Sequence, residues 1–342
     1  MFAALHASAA TQAASTGHQT WTSCGMKDRS AGLILFGALQ LLLALCAVCV
    51  VLGMAAATEM QSRAGAPPIP QASVVSNIVL YAAIAAYFFS VGVGSIRRRR
   101  WARALSLVVS AIWLVVGIIA IAAVTTILPH LMALFPPSQT TFMMTILYVM
   151  FGIIYLLIPL VMVLFYRSPH VKATCESRDP VTRWTDRVPL PVLAVVIVMA
   201  FAALSVVMAL SYGMVPLFGV ILTGAPAAIV LVAFAGLCGY LSVQLYRLKR
   251  SAWWTSVFFV VFSIANAAVT FSRIDLEKLY EQMGVMTPQL RAMHLGDLSR
   301  NAGLWCVVGV SWLVALGYLI WTRKFFDAPP PRTRAGDALD GA

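Results

Sequence analysis

Charge is what this chain has least of. Asp, Glu, Lys and Arg make up 11% of its 342 residues, against about a quarter in soluble domains. Apolar types make up 61%, too large a share to leave a polar surface for water. That excludes a soluble globular protein. Eight stretches contain no Asp, Glu, Lys, Arg or His at all: Ala31–Ala57, Val75–Ser95, Ala104–Leu128, Phe142–Phe165, Leu190–Tyr212, Pro226–Tyr246, Ala252–Ser272 and Gly303–Thr322. A hydrocarbon core about 30 Å thick takes about 20 apolar residues per helix. The runs are continuous and not alternating, which excludes a transmembrane β-barrel. The expected fold is an all-α polytopic transmembrane bundle of about eight spans, since lipid leaves no backbone group to be satisfied by water.

Other absences narrow the function. Enzymes need a positioned acid, base, nucleophile or metal, and no such constellation stands out, so neither a cofactor nor a metal is expected. Ion-coupled transporters usually carry acidic or basic relays inside the membrane, and the spans hold none. Of the six cysteines, Cys46, Cys49, Cys238 and Cys306 lie in spans and Cys24 and Cys175 on the basic side. Cys46 and Cys49 form a CxxC pair, but mid-span and with no charge to lower a thiol pKa. They read as packing residues. The N-terminal tail, residues 1–30, does not read as a cleavable signal. Its Lys27 and Arg29 come late, as in an uncleaved anchor, with Met26 as an alternative start. The tail 323–342, with Pro329-Pro330-Pro331, reads as disordered.

What charge there is lies on one side. Of 24 Lys and Arg, 19 fall on the N-terminal tail, the connections after the second, fourth and sixth spans, and the C-terminal tail. Only five fall on the other connections. The 12 acidic residues divide seven and five, so the net charge of +12 belongs entirely to one side. Cytoplasmic loops concentrate Lys and Arg, which places both termini in the cytoplasm. No nucleic-acid partner is implied. The densest run, Arg97, Arg98, Arg99, Arg100, Trp101 and Arg103, reads first as a topology anchor and second as contacts to anionic lipid headgroups.

A span, a short basic hairpin, a Trp and a further span recur at an offset of 152, pairing Arg97 with Lys249, Arg98 with Arg250 and Trp101 with Trp253. This predicts two parallel four-span repeats, 31–165 and 190–322, joined by a linker at 166–189. In the second span Ala82, Ala86, Ser90 and Gly94 recur every four residues and predict a seat for another helix, with Cys238 and Ser242 as counterparts in the sixth. In the seventh span Ser263, Asn266 and Thr270 form a polar stripe where the third has Ala111, Leu114 and Ile118. The stripe reads as an interhelical hydrogen bond, or as the lining of a polar cavity. Pro159 frees a carbonyl in the fourth span. The connection Pro129–Pro137 reads as interfacial. Within the outer loop 273–301, Leu276, Leu279, Tyr280 and Met283 form an amphipathic face, and Thr287-Pro288 starts a second short helix.

In the linker, Asp179-Pro180 reads as the start of a short helix that places Arg183 and Arg187 on one face beside Trp184. That face would be a second grip on anionic headgroups. The Tyr166–Arg187 stretch, with the basic Trp hairpin, resembles uncharacterised multi-span proteins of bacterial inner membranes. The resemblance implies that location and no activity. Three functions stay open: a non-enzymatic protein that binds, senses or scaffolds; a permease for a small neutral or amphiphilic solute; and, last, a lipid-modifying enzyme.

Overall fold

The computed structural model describes residues 27–63, 71–132, 137–274, 276–282 and 301–327. Eight helices in it are long and apolar enough to cross a membrane: Ser30–Met60, Val74–Ile96, Arg100–Pro129, Thr140–Arg167, Leu190–Tyr212, Ala225–Tyr246, Arg250–Arg273 and Ala302–Phe325. These are the first to eighth spans, each within a few residues of its charge-free stretch. Their outer faces carry bare apolar side chains, with Phe142, Ile229 and Phe258 about 70% exposed. In water such a belt would drive aggregation; in lipid it is the solvent-facing surface. The chain is therefore an integral membrane protein built as an all-α bundle.

Neighbours in sequence pack on one another in each half: first on second, second on third, third on fourth, then fifth on sixth, sixth on seventh, seventh on eighth. The halves meet where the second and third spans reach the fifth and the third reaches the eighth. The first and second spans approach at glycines. A Cβ on Gly92 would lie 2.9 Å from the Gly37 carbonyl, and one on Gly37 would lie 2.9 Å from that of Gly92. This corrects the expected helix seat for Ala82, Ala86 and Ser90, which face outward, while Gly94 is closely packed against Trp101 and Ala102 of the third span. Four-residue spacing selects a face but does not say which face is covered. The sixth-span counterpart does pack as expected. Cys238 is fully buried, and the Ser242 hydroxyl donates to the Val196 carbonyl of the fifth span at 3.1 Å.

Of the four prolines in the spans, Pro191 and Pro226 lie in the first helical turn, where no donor is needed, and Pro129 and Pro159 act in two other ways. Pro129 was expected to begin a loop but lies inside the third helix, which runs to Met132. Pro159 follows a single π turn, Gly152–Leu157, in which the Ile158 N–H bonds back to the Ile153 carbonyl. Proline cannot donate to the carbonyl four residues before it. The carbonyl left over is that of Tyr155. The wider turn absorbs the defect, and Gly117 of the third span is pressed against that oxygen, so that any Cβ there would overlap it.

The two basic hairpins are the same turn. Arg98 and Leu248 sit at φ of 56° and 55°. Arg98 N bonds Ser95 O at 2.9 Å and Arg99 N bonds Gly94 O at 2.9 Å; Leu248 N bonds Leu245 O at 2.9 Å and Lys249 N bonds Gln244 O at 3.1 Å. Both are Schellman closures with a non-glycine residue in the left-handed position. Arg98 matches Leu248 at an offset of 150, two less than the offset that aligns the tryptophans. Trp101 thus follows its turn residue by three positions and Trp253 by five.

The linker helix is Pro169–Arg178, not one beginning at Asp179. Ser168-Pro169 offers the same cap-and-proline start earlier in the chain. Asp179 instead ends the helix, at φ −131° and ψ 79°, because a residue before proline is driven out of the helical region. Trp184–Asp186 is one 3-10 turn. The tail also begins later than expected. Thr322–Phe325 is helical, Phe326 packs into the core of the second half, and Asp327 pairs with Arg250 and Arg323. In the outer loop the helix Leu276–Gln282 is present, while the Thr287-Pro288 start lies outside the described residues.

Candidate functional site at the basic end

Three polar constructions stand out, two at the basic end and one opposite. The first joins all four spans of the first half. Gln40 Nε2 donates to Ser106 Oγ at 2.8 Å, Ser95 Oγ donates to Gln40 Oε1 at 3.2 Å, and Ser95 Oγ lies 3.0 Å from the Tyr166 hydroxyl. Each of the four is 2% exposed or less. Closed on itself, the node offers no group to a ligand. None of these side chains is ionised, so a search for charge in the spans passes over them. Gln40 in an otherwise apolar helix was the available signal.

The second is a clamp around Asp179, whose side chain is only 2% exposed. Arg183 grips it with both ends of the guanidinium, Nη2 to Oδ1 at 2.7 Å and Nε to Oδ2 at 3.1 Å. The Arg100 backbone N–H, at the first turn of the third span, donates to Oδ2 at 3.3 Å. Arg99 Nη1 reaches Oδ1 at 3.5 Å. A carboxylate at a helix N-terminus is favoured by the free N–H groups there. The bonds from Arg183, with Arg100 and Arg99 behind them, hold the Asp179 carboxyl below the usual carboxylate range against the opposing effect of burial. Arg100 also bridges Glu176 at 3.5 Å and Asp186 at 3.4 Å.

The seven arginines proposed as headgroup contacts therefore divide. Arg99, Arg100 and Arg183 are held by carboxylates of the linker. Arg98 closes its turn, with its Nε buried and unpartnered. Arg97 and Arg187 are exposed. Arg103 lines a cavity of about 340 Å³ together with Arg100, Lys172, Cys175, Glu176, Thr185, Asp186 and the apolar Ala104, Val188, Pro189 and Leu190. Burial pushes the Cys175 thiol up to about 11, so at neutral pH it is no nucleophile. A second depression, also about 340 Å³, lies between Phe89, Ser90, Val93 and Gly94 of the second span and Arg97, Arg99 and Trp101. It sets an apolar floor beside two guanidinium groups. The acceptors of the clamp were missed in the sequence, although three of the seven acidic residues on the basic side, Glu176, Asp179 and Asp186, sit in the linker.

The third construction, at the opposite end, explains the polar stripe. A short antiparallel β-hairpin, β1 Met214–Leu217 and β2 Val220–Thr223, joins the fifth and sixth spans. Its turn holds Phe218 at φ 48° and Gly219 at φ 85°, as a two-residue hairpin loop requires. Asn266 Oδ1 accepts the Phe218 N–H at 2.7 Å, Nδ2 reaches the Pro216 carbonyl at 3.5 Å, and Thr270 Oγ1 accepts the Gly219 N–H at 3.3 Å. Ser263 bonds only its own helix, at Phe259 O. Two of the stripe's three residues thus pin a turn of the connection between the fifth and sixth spans.

No family model, curated protein or solved structure matches the chain.

Proposed function

We propose that this is a non-enzymatic protein of a bacterial inner membrane that binds or senses, with the linker face as its working end in the cytoplasm. One observation supports the reading above others: the linker carboxylates tie the first basic hairpin to the junction of the two halves, beside a cavity that still has cationic lining. The described N-terminus reaches the same end, where the Arg29 N–H donates to Thr174 Oγ1 at 3.2 Å. So does the C-terminal segment, through Arg250 and Asp327. The residues that would have lined a permease path, Asn266 and Thr270, are occupied by the hairpin turn, which favours binding over transport. We read the halves as copies of one four-span unit, on the strength of their shared turn.

Arg97 and Arg187 form the rim that meets anionic headgroups, each contributing about 1 kcal/mol near a charged surface. In discs of mixed composition the protein is expected to retain phosphatidylglycerol over phosphatidylcholine when examined by native mass spectrometry. The Arg97→Gln, Arg187→Gln double variant should lose most of that preference. Equal retention of both lipids by the unaltered protein would refute the rim. Orientation is tested separately in a cysteine-free background. Cysteines at Gln139 and Gln289 should react with an impermeant maleimide in intact cells and one at Ser177 should not. The reverse pattern would place the working end outside.

A further inference from the structure

The cavity between the third span and the linker holds more cation than its own carboxylates use. Arg100 is shared between Glu176 and Asp186, and Lys172 stands 3.9 Å from Glu176. Arg103 has no ion pair among the described residues, and its Nε is buried without a hydrogen-bond partner. Across from it, Thr185 is 2% exposed and its Oγ1 is likewise buried and unpartnered. A guanidinium Nε–H and a hydroxyl left unsatisfied around a cavity are costly, at about 1–3 kcal/mol each, unless something occupies it. The third and fifth spans both begin here, at Arg100 and Leu190, and their N-terminal ends add positive potential.

We propose that this cavity binds a phosphoryl group, held by Arg103, Thr185 and Lys172. A tetrahedral oxyanion has enough oxygens to accept from the guanidinium, the hydroxyl and the ammonium together. A carboxylate has two. The cavity, about 340 Å³, is larger than a bare phosphate. Its apolar wall of Ala104, Val188, Pro189 and Leu190 suits the organic part of a phosphate ester, whether a phospholipid headgroup or a soluble ester. The inference deepens the binding reading and rests on it. It is independent of the rim, because neither Arg97 nor Arg187 lines the cavity.

The test uses the full chain in neutral phosphatidylcholine discs, with the thermal unfolding midpoint as readout. Glycerol 3-phosphate is titrated against sodium chloride of equal ionic strength, and in a second arm the discs are enriched in phosphatidylglycerol. A saturable rise with glycerol 3-phosphate identifies a soluble ester. A rise with phosphatidylglycerol alone identifies a headgroup. Either supports the site, provided the response is weakened about tenfold or more in Arg103→Gln and in Thr185→Val, as expected for loss of a charge-assisted or buried bond. Arg250→Gln, in the other basic hairpin, should respond like the unaltered chain. Should Arg103→Gln fail to fold, Arg103→Lys keeps the charge, removes Nε and is expected to show the same direction of loss. No response in either arm, or an undiminished response in folded Arg103→Gln and Thr185→Val, overturns the proposal.

Discussion

The two halves close their basic ends with the same turn and fill the space behind it in opposite ways. Behind Arg98 lies the polar node of Gln40, Ser95, Ser106 and Tyr166, backed by the Asp179 clamp. Behind Leu248 lies an apolar cluster that includes Val192, Leu241, Leu245, Trp253 and Leu319. There the indole N–H of Trp253 donates to the Leu319 carbonyl at 2.9 Å, and Arg323 sits 5.7 Å from the Trp253 ring. The left-handed turn residue follows suit: Leu248 packs on the apolar cluster, whereas Arg98 carries a guanidinium whose Nε is buried without a hydrogen-bond partner. Backbone hydrogen bonds alone specify the turn, so either filling is compatible with it. The linker packs on both halves, through Glu176 and Asp179 on the first and through Trp184 and Val188 on the second. At the far end the second half holds the hairpin, pinned by Asn266 and Thr270.

The comparison breaks first where backbone touches backbone. Gly117→Leu would drive a side chain into the Tyr155 carbonyl and should cost about 3 kcal/mol or prevent folding, read as loss of the monodisperse peak in detergent. Gly236, in the sixth span, has nothing within 4 Å of an added Cβ, and Gly236→Ala should be tolerated. Equal tolerance at both would mean that the third and fourth spans do not meet as described.

Next in size is the clamp. Asp179→Asn should destabilise the protein by about 2 kcal/mol at pH 7, because hydrogen bonds to a charged group are lost. The pH dependence has a definite sign. The folded-state carboxyl titrates below its ordinary value near 3.8, so the unfolded chain binds more protons in that range. The contribution is therefore complete above that value and is lost as pH falls through the lower, folded one. Unfolding midpoints of the parent and Asp179→Asn should converge as the pH falls through the lowered, folded-state value. A constant gap down to that pH would show that packing, not charge, sets the difference.

Two substitutions compare the fillings directly. Gln40→Leu leaves Ser95, Ser106 and Tyr166 short of partners and should cost about 1 kcal/mol, within the range for polar contacts between membrane helices. Asn266→Leu, which frees the Phe218 N–H at the opposite end, should cost a similar amount. The two effects should add, since the sites share no residue. Marked non-additivity would show that the halves are coupled through the bundle.

The smallest effect is expected at the turns. Leu248→Gly relieves a left-handed residue, at about 1 kcal/mol, and removes a partly buried side chain, so the net change should be within about 0.5 kcal/mol of zero. A large loss would mean that Leu248 packing, not the turn, closes the second hairpin.

Charge-free length and the one-sided placement of Lys and Arg were enough to define the eight spans and to group the basic segments at one end. Both depend on local composition, because lipid excludes ions and the backbone must satisfy itself within each span. The Schellman turns were legible as basic hairpins but two residues out of register, since Trp101 follows its turn residue by three positions and Trp253 by five. The candidate site was half legible. Its arginines could be named, but which were already held by carboxylates could not. Asp179 reads locally as a helix cap, and only the folded linker brings it to the third span. Asn266 likewise reads as a buried amide in need of partners, and the partner was a hairpin turn about 50 residues away in sequence, closed by contacts that no local pattern encodes. Local chemistry set which segments enter the membrane and what each side chain demands. Tertiary structure decided which demands meet each other, because pairing buried polar groups is a property of the assembled bundle and not of any one span.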